Sequence, residues 1–79
     1  MTNLTRSTAS AVRDALASRG IRQVDAAAAL GLSQQATSDR LRGRTPFTLA
    51  DLERLAELLG IPVADLVQPR ADQPMGATA

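Results

Sequence analysis

The sequence predicts an all-α fold, a compact bundle of about five short helices. Apolar residues recur at helical spacing in several segments, and glycines follow these segments at positions suited to ending helices. No segment alternates apolar and polar residues in the manner of a strand, and no glycine-rich phosphate loop is present. The 79 residues leave room for one domain. A nucleotide-binding α/β fold is therefore disfavoured.

The N-terminal half predicts two helices. Residues 1–6 are polar and show no period, which indicates a flexible arm. Ser7 begins a segment with hydroxyl residues suited to capping, and Gly20 is placed to end this first helix. Residues 23–30 are rich in alanine, which has the highest helix propensity, and they end at Gly31. They predict a short second helix whose small side chains let a neighbouring helix approach closely.

Two further helices carry capping signals at their starts. Ser33 is placed to cap a third helix over about 34–42, and Gly43 is placed to terminate it. Thr48 begins a capping-box-like segment with aspartate at the third position, and leucines then recur at helical spacing as far as Gly60. This stripe is too short for a coiled coil, so its leucines are expected to lie in the core.

The C-terminal segment predicts one more helix and a tail. Pro62 suits the first turn of a short fifth helix, whose apolar residues continue to Val67. Residues 68–79 are polar and rich in small residues and proline, which predicts a disordered tail. The predicted domain therefore covers residues 7–67, and a larger parent chain could continue beyond the tail.

The composition excludes several classes of function. Without cysteine or histidine, the chain cannot form a disulfide, a zinc site of those ligands, or a nucleophile based on them. The longest apolar run, residues 26–30, is far shorter than the roughly 20 residues of a membrane span. No basic, apolar signal segment opens the sequence, so a cytoplasmic location is expected. We therefore expect no membrane association, no enzyme activity, no cofactor and no small-molecule substrate.

The charges are unevenly divided along the chain, although the net charge is only +1. Residues 1–44 contain seven arginines and three aspartates, a net charge of +4, whereas residues 45–79 carry a net charge of −3. A basic half beside an acidic half suits a polyanion-binding face with a separate scaffold or partner face. Ordinary solvated surface produces the same split in some proteins. Arg13 and Arg19 on the first helix are expected to be solvated.

The connection between the second and third helices points most directly to a binding surface. Gly31-Leu32-Ser33 forms a three-residue turn, which makes the helices cross steeply and leaves the third helix protruding from the domain. In the major groove of DNA, glutamine pairs with adenine, serine donates or accepts, and aspartate accepts from cytosine. The exposed start of the third helix offers these groups at the candidate base-reading residues Gln34, Gln35, Ser38 and Asp39.

Basic and polar residues flank this helix where phosphates would pass. They are Arg22, Gln23, Arg40, Arg42 and Arg44. Phosphates would repel Asp39 unless it meets a cytosine or pairs with Arg40, Arg42 or Arg22. Binding of single-stranded RNA is disfavoured, because base stacking needs aromatic side chains and Phe47, itself expected in the core, is the only one.

Residues 21–67 resemble the phage-repressor/Cro (XRE-type) helix-turn-helix family. The positions that match the family pattern are Gln23, Ala27, Gly31, Ser33, Gln34, Gly43 and Leu59-Gly60-Ile61. Residues 40–47, Arg-Leu-Arg-Gly-Arg-Thr-Pro-Phe, are similar to a variant found in actinobacterial proteins and their phages. The resemblance implies a lambda-repressor-like domain that binds a double-stranded DNA operator.

The resemblance also implies roles for individual residues. It assigns base contacts to Gln34, Gln35, Ser38 and Asp39, and phosphate contacts to Gln23, Ser33 and Arg44. Thr45, next to Arg44, is a further candidate for a phosphate contact. Two positions depart from the family pattern. Thr37 stands where isoleucine or valine is usual, and Arg40-Leu41 stand where Ile-Glu is frequent. Because Thr37 and Leu41 are spaced i, i+4, they are expected to form the buried stripe of the third helix, with Arg40 outward.

Three functions fit this pattern. The first is a nucleoid-associated transcriptional regulator, a phage immunity repressor or Cro-like protein, whose tight binding would call for a homodimer on a palindrome, tandem sites, or a second DNA-binding segment. The second is a protein-interaction module, an antitoxin or antirepressor, although the polar Gln34, Gln35 and Ser38 argue against an apolar docking face. The third, a recombination or excision accessory factor, shares the DNA-binding chemistry of the first.

Overall fold

The computed structural model describes residues 3–67, and this part of the chain is all-helical with no strand. Its five α-helices are α1 (Asn3–Ser18), α2 (Gln23–Leu30), α3 (Gln34–Leu41), α4 (Leu49–Leu59) and α5 (Ala64–Val67). This confirms the predicted fold class. The predicted disordered tail at residues 68–79 and the first two residues of the predicted arm lie outside the described residues.

The predicted caps are present at the starts of α3 and α4. The side-chain oxygen of Ser33 accepts a hydrogen bond from the Ala36 N–H at 3.1 Å, which satisfies a free donor at the start of α3. Thr48 and Asp51 form a reciprocal capping box at the start of α4, with both hydrogen bonds 3.0 Å long. Local sequence chemistry therefore fixes where α3 and α4 begin.

The hydrophobic core is formed by residues of all five helices, with α2 packed on α3 and α4, and α1 packed on α5 and α3. Its buried apolar residues are Ala9, Val12, Leu16, Ala26, Ala27, Leu30, Leu41, Leu52, Leu55, Ala56, Leu59 and Leu66. Ile21 and Phe47 are half-buried and pack against this core from the connecting loops, as predicted. The core is small, so each fully buried leucine contributes a large share of the stability.

The start of α1 corrects the prediction of a flexible arm at residues 3–6, the part of the arm that the structure describes. The helix already includes Asn3, and the hydroxyl groups expected to cap it lie inside it. Ser7 and Thr8 are buried, and the Ser7 hydroxyl donates to the Leu4 carbonyl at 3.3 Å. The N-terminal part of α1 packs on the C-terminal part of the chain, since Leu4 and Val67 line one groove. This long-range packing overrides the weak local preference of a polar segment.

Smaller differences occur at two other helix ends. Arg42, predicted to be the last residue of α3, is its C-cap. The fifth helix, predicted to have Pro62 in its first turn, begins two residues later at Ala64. Differences of this size are normal at helix ends. Within residues 3–67, no helix combines the length and the apolar character that a bilayer span requires.

Candidate functional site

The turn between α2 and α3 is built by one left-handed residue. Gly31 has a φ of +68°, which residues with a Cβ atom rarely adopt. Its N–H donates to carbonyls at the end of α2. Leu32 follows, donating its N–H to the Ala27 carbonyl at 3.1 Å while its side chain packs against the core. The backbone then enters α3 at Ser33. The turn is therefore fixed by hydrogen bonds and by packing.

One side of α3 faces the core, as predicted. Thr37 is fully buried and Leu41 is nearly so. The Thr37 hydroxyl donates to the Ser33 carbonyl at 2.9 Å, so the polar residue that replaces the usual isoleucine or valine has its hydrogen bond inside the helix. This contact explains how a buried threonine is tolerated at this position.

The four predicted base-reading residues lie together on another side of α3, outside the buried stripe of Thr37 and Leu41. At 100° per residue, Gln34, Gln35, Ser38 and Asp39 cover an arc of about 140°. The two glutamines are exposed, and Ser38 and Asp39 are half-buried. We call these four residues the polar face of α3. It presents amide, hydroxyl and carboxylate groups, the groups that hydrogen-bond base edges in the major groove.

Two members of the polar face are joined to each other. Gln35 Nε2 donates a hydrogen bond to Asp39 Oδ1 at 3.0 Å, and Arg44 Nη1 lies 4.0 Å from the same oxygen. The partners expected for Asp39 are therefore wrong in detail. Arg22 pairs with Asp25 at 3.4 Å, and Arg40 pairs elsewhere.

The predicted phosphate-contacting residues lie at the starts of α2 and α3 and just after the end of α3, with one exception. The side chains of Arg22, Gln23, Ser33, Arg42 and Arg44 are exposed, and Thr45 is half-buried. The Gln23 amide nitrogen lies 3.5 Å from the Gln34 carbonyl oxygen and links the start of α2 to the start of α3.

Arg40 is the exception, because it points inward and not outward. At 100° per residue it lies about 170° from the centre of the polar face. Its Nη1 donates to the Ala36 carbonyl at 2.9 Å, and its Nε lies 3.4 Å from Asp51 Oδ2. The Arg40 side chain is 19% exposed and that of Asp51 is 8% exposed. Arg40 therefore ties α3 to the capping box of α4 and does not border the polar face.

Arg13 and Arg19 on the first helix are exposed, as expected, and each also donates a hydrogen bond to the end of another helix. A guanidinium nitrogen of Arg13 donates to the Leu41 carbonyl at the end of α3. Arg19 Nε donates to the Leu59 carbonyl at the end of α4, at 3.1 Å. Both cations therefore satisfy carbonyls left free at helix C-termini and oppose the negative end of the helix dipole. These contacts join residues 28 and 40 positions apart, so no local pattern could have indicated them.

Comparison with known proteins identifies the architecture. A family model described as helix-turn-helix matches residues 12–66, more than half of the chain, so the protein belongs to the helix-turn-helix family. No curated protein matches the sequence. Among solved structures, the crystal structure of a hypothetical transcription factor, NHTF, from Neisseria is similar. Its TM-score is 0.76 at 25% sequence identity, over 96% of this chain and 85% of that one.

The family and the fold together define the class of the protein. It is a DNA-binding regulator of the helix-turn-helix type, in which α2 and α3 form the motif. The second helix of that motif is α3, and it carries the polar face.

Proposed function

We propose that the protein binds a double-stranded DNA operator with α3 in the major groove, and that it regulates transcription without enzymatic activity, as a phage immunity repressor or Cro-like protein does. The observation that carries the proposal is the polar face of α3. Thr37 and Leu41 anchor another side of the helix in the core, so the polar groups project from a rigid support. The base contacts are assigned to the polar face, Gln34, Gln35, Ser38 and Asp39.

Phosphate contacts are assigned to the exposed groups around this face. They are Arg22, Gln23, Ser33, Arg42, Arg44 and Thr45. Ser33 supports this assignment well, because its oxygen accepts from Ala36 while its hydroxyl hydrogen stays available for a phosphate oxygen. Arg40 is left out of this set because Asp51 and the Ala36 carbonyl hold its guanidinium.

A single copy of this domain would read only a few base pairs, since one short helix enters the groove. The proposal therefore includes two copies on a palindromic operator, the arrangement that doubles both the base contacts and the phosphate contacts. In this arrangement α3 determines the specificity, and the number of copies bound determines the affinity.

The test measures binding of fluorescent duplexes by anisotropy at two salt concentrations. The duplexes come from the neighbourhood of the gene and from random sequence. The variant is Gln34→Ala/Gln35→Ala, and the matched control is Glu53→Ala/Glu57→Ala on the exposed side of α4. We expect the wild type and the control to prefer one fragment, and the α3 variant to lose that preference by at least about tenfold. Salt-dependent binding to random DNA should survive in all three proteins.

Two results would contradict the proposal. If the wild type binds no duplex above background even at low salt, the protein does not act on DNA, and a protein-interaction module becomes the better hypothesis. If the α3 variant keeps the full preference, the polar face does not read the bases, and another surface must do so.

A further inference from the structure

The hydrogen bond between Gln35 and Asp39 fixes the orientation of a side chain that would otherwise rotate freely. A carboxylate only accepts hydrogen bonds, so the Gln35 amide must turn its nitrogen toward Asp39 Oδ1, at 3.0 Å. An amide flip would place two acceptors against each other. Gln35 therefore presents its carbonyl oxygen and one remaining N–H in a single arrangement.

Arg44 makes a carboxylate tolerable at this position beside DNA. The Arg44 backbone N–H donates to the Asp39 carbonyl at 2.9 Å, which holds the loop after α3 against the same residue. Its guanidinium lies 4.0 Å from Asp39 Oδ1 and is largely exposed. The cation therefore offsets the repulsion between Asp39 and the phosphates while remaining open to a phosphate itself.

The polar groups of Gln35 and Asp39 that make no hydrogen bond in this network are mainly acceptors. Asp39 is 31% exposed and keeps its second carboxylate oxygen, and Gln35 keeps its carbonyl oxygen. In the major groove, cytosine N4 and adenine N6 are amine donors, whereas guanine O6 and thymine O4 are acceptors. If the base opposite Asp39 presented an acceptor, that acceptor and the carboxylate oxygen would face each other with no proton between them.

We propose that Asp39, held by Gln35 and Arg44, is a specificity-determining residue that requires a base amine, cytosine N4 or adenine N6, on the strand that it faces. This inference rests on the proposed DNA-binding function and names the chemistry of one position in the operator. The choice excludes guanine and thymine at that position of that strand.

The test is selection from a library of duplexes with a randomised core, followed by sequencing, for three proteins. Asp39→Asn keeps the shape and can still accept from Gln35, but its amide also donates, so guanine and thymine become acceptable. Asp65→Asn is the matched control, because it removes one carboxylate from the exposed surface of α5. We expect one position of the wild-type site to favour cytosine or adenine by roughly tenfold, and Asp39→Asn to reduce this to about threefold or less. Asp65→Asn should leave every position unchanged.

The outcomes separate this inference from the function on which it rests. If the wild type selects a clear site and Asp39→Asn preserves the preference at every position, the inference is overturned while the DNA-binding function stands. A position that relaxes in Asp39→Asn but favours guanine or thymine in the wild type overturns the assignment of a base amine. If the wild type selects no sequence at all, the proposed function fails, and this inference fails with it.

Discussion

The ion pair between Arg40 and Asp51 allows a sharp test of how α3 is held in place. Asp51 has two partners, the Thr48 N–H at 3.0 Å and Arg40 Nε at 3.4 Å, and its side chain is only 8% exposed. The substitution Asp51→Asn keeps an oxygen that can accept from the Thr48 N–H, and the backbone N–H of residue 51 still donates to the Thr48 hydroxyl, so both bonds of the capping box can be kept. It removes the negative charge and leaves the Arg40 cation, 19% exposed, without its counterion.

The expected loss follows from the burial of the two groups. Removing one partner of a fully buried pair costs about 3–5 kcal/mol, because the remaining charge is left uncompensated. Arg40 retains some solvent contact and its hydrogen bond to the Ala36 carbonyl, so we expect a smaller loss of about 2–3 kcal/mol. For a domain of this size, that corresponds to a fall in Tm of about 10–20 °C.

The assay is urea denaturation followed by far-ultraviolet circular dichroism, with the double variant Arg40→Met/Asp51→Asn as the critical comparison. The double variant leaves no charge buried, so it should be more stable than Asp51→Asn alone by at least about 1 kcal/mol. Asp65→Asn is the control and should change the stability by less than about 0.5 kcal/mol. The reasoning is refuted if Asp51→Asn is as stable as the control, or if adding Arg40→Met restores nothing.

Two further predictions concern the start of α3. Ser33→Ala should lower the stability by about 1 kcal/mol in the same denaturation experiment, because the Ala36 N–H loses its cap. Ser33→Asp should retain most of that stability, and equal loss in both variants would contradict a capping role. Thr37→Val should change the free energy of unfolding by less than about 1 kcal/mol, because the Ser33 carbonyl keeps its bond to the Thr37 N–H at 3.0 Å. A much larger loss would show that the hydroxyl has a role beyond this carbonyl.

The fold could be predicted wherever local chemistry determines it. Ser33 and Thr48 carry their capping function in the sequence, and Gly31 and Gly60 end their helices in the left-handed conformation. The start of α1 could not be predicted in this way. Residues 3–6 have no helical pattern of their own, and they become helical in a segment whose buried side chains pack on distant parts of the chain.

The candidate site shows the same difference between features set by local sequence and features set by the tertiary structure. The polar face of α3 follows from helical periodicity, but the inward direction of Arg40 does not, because this side chain turns toward Asp51 of α4. The partner of Asp39 did not follow from periodicity, because Arg44 lies beyond the end of α3 and reaches it through the fold of the loop. Periodicity therefore predicts which side of a helix a residue occupies, while ion pairs that cross a helix end depend on the tertiary structure.

The arginines show why the basic half of the chain overstates the electrostatic attraction to DNA. Arg13, Arg19 and Arg40 bind carbonyls or a carboxylate of the protein itself, so their charge stabilises helix ends. The exposed arginines assigned to phosphates are Arg22, Arg42 and Arg44. With at most three such contacts, the logarithm of the binding constant should fall with the logarithm of salt concentration with a slope of about −3 or shallower per protomer. Two protomers on one palindromic operator would steepen that slope to about −5, so the salt dependence of binding itself counts the copies bound.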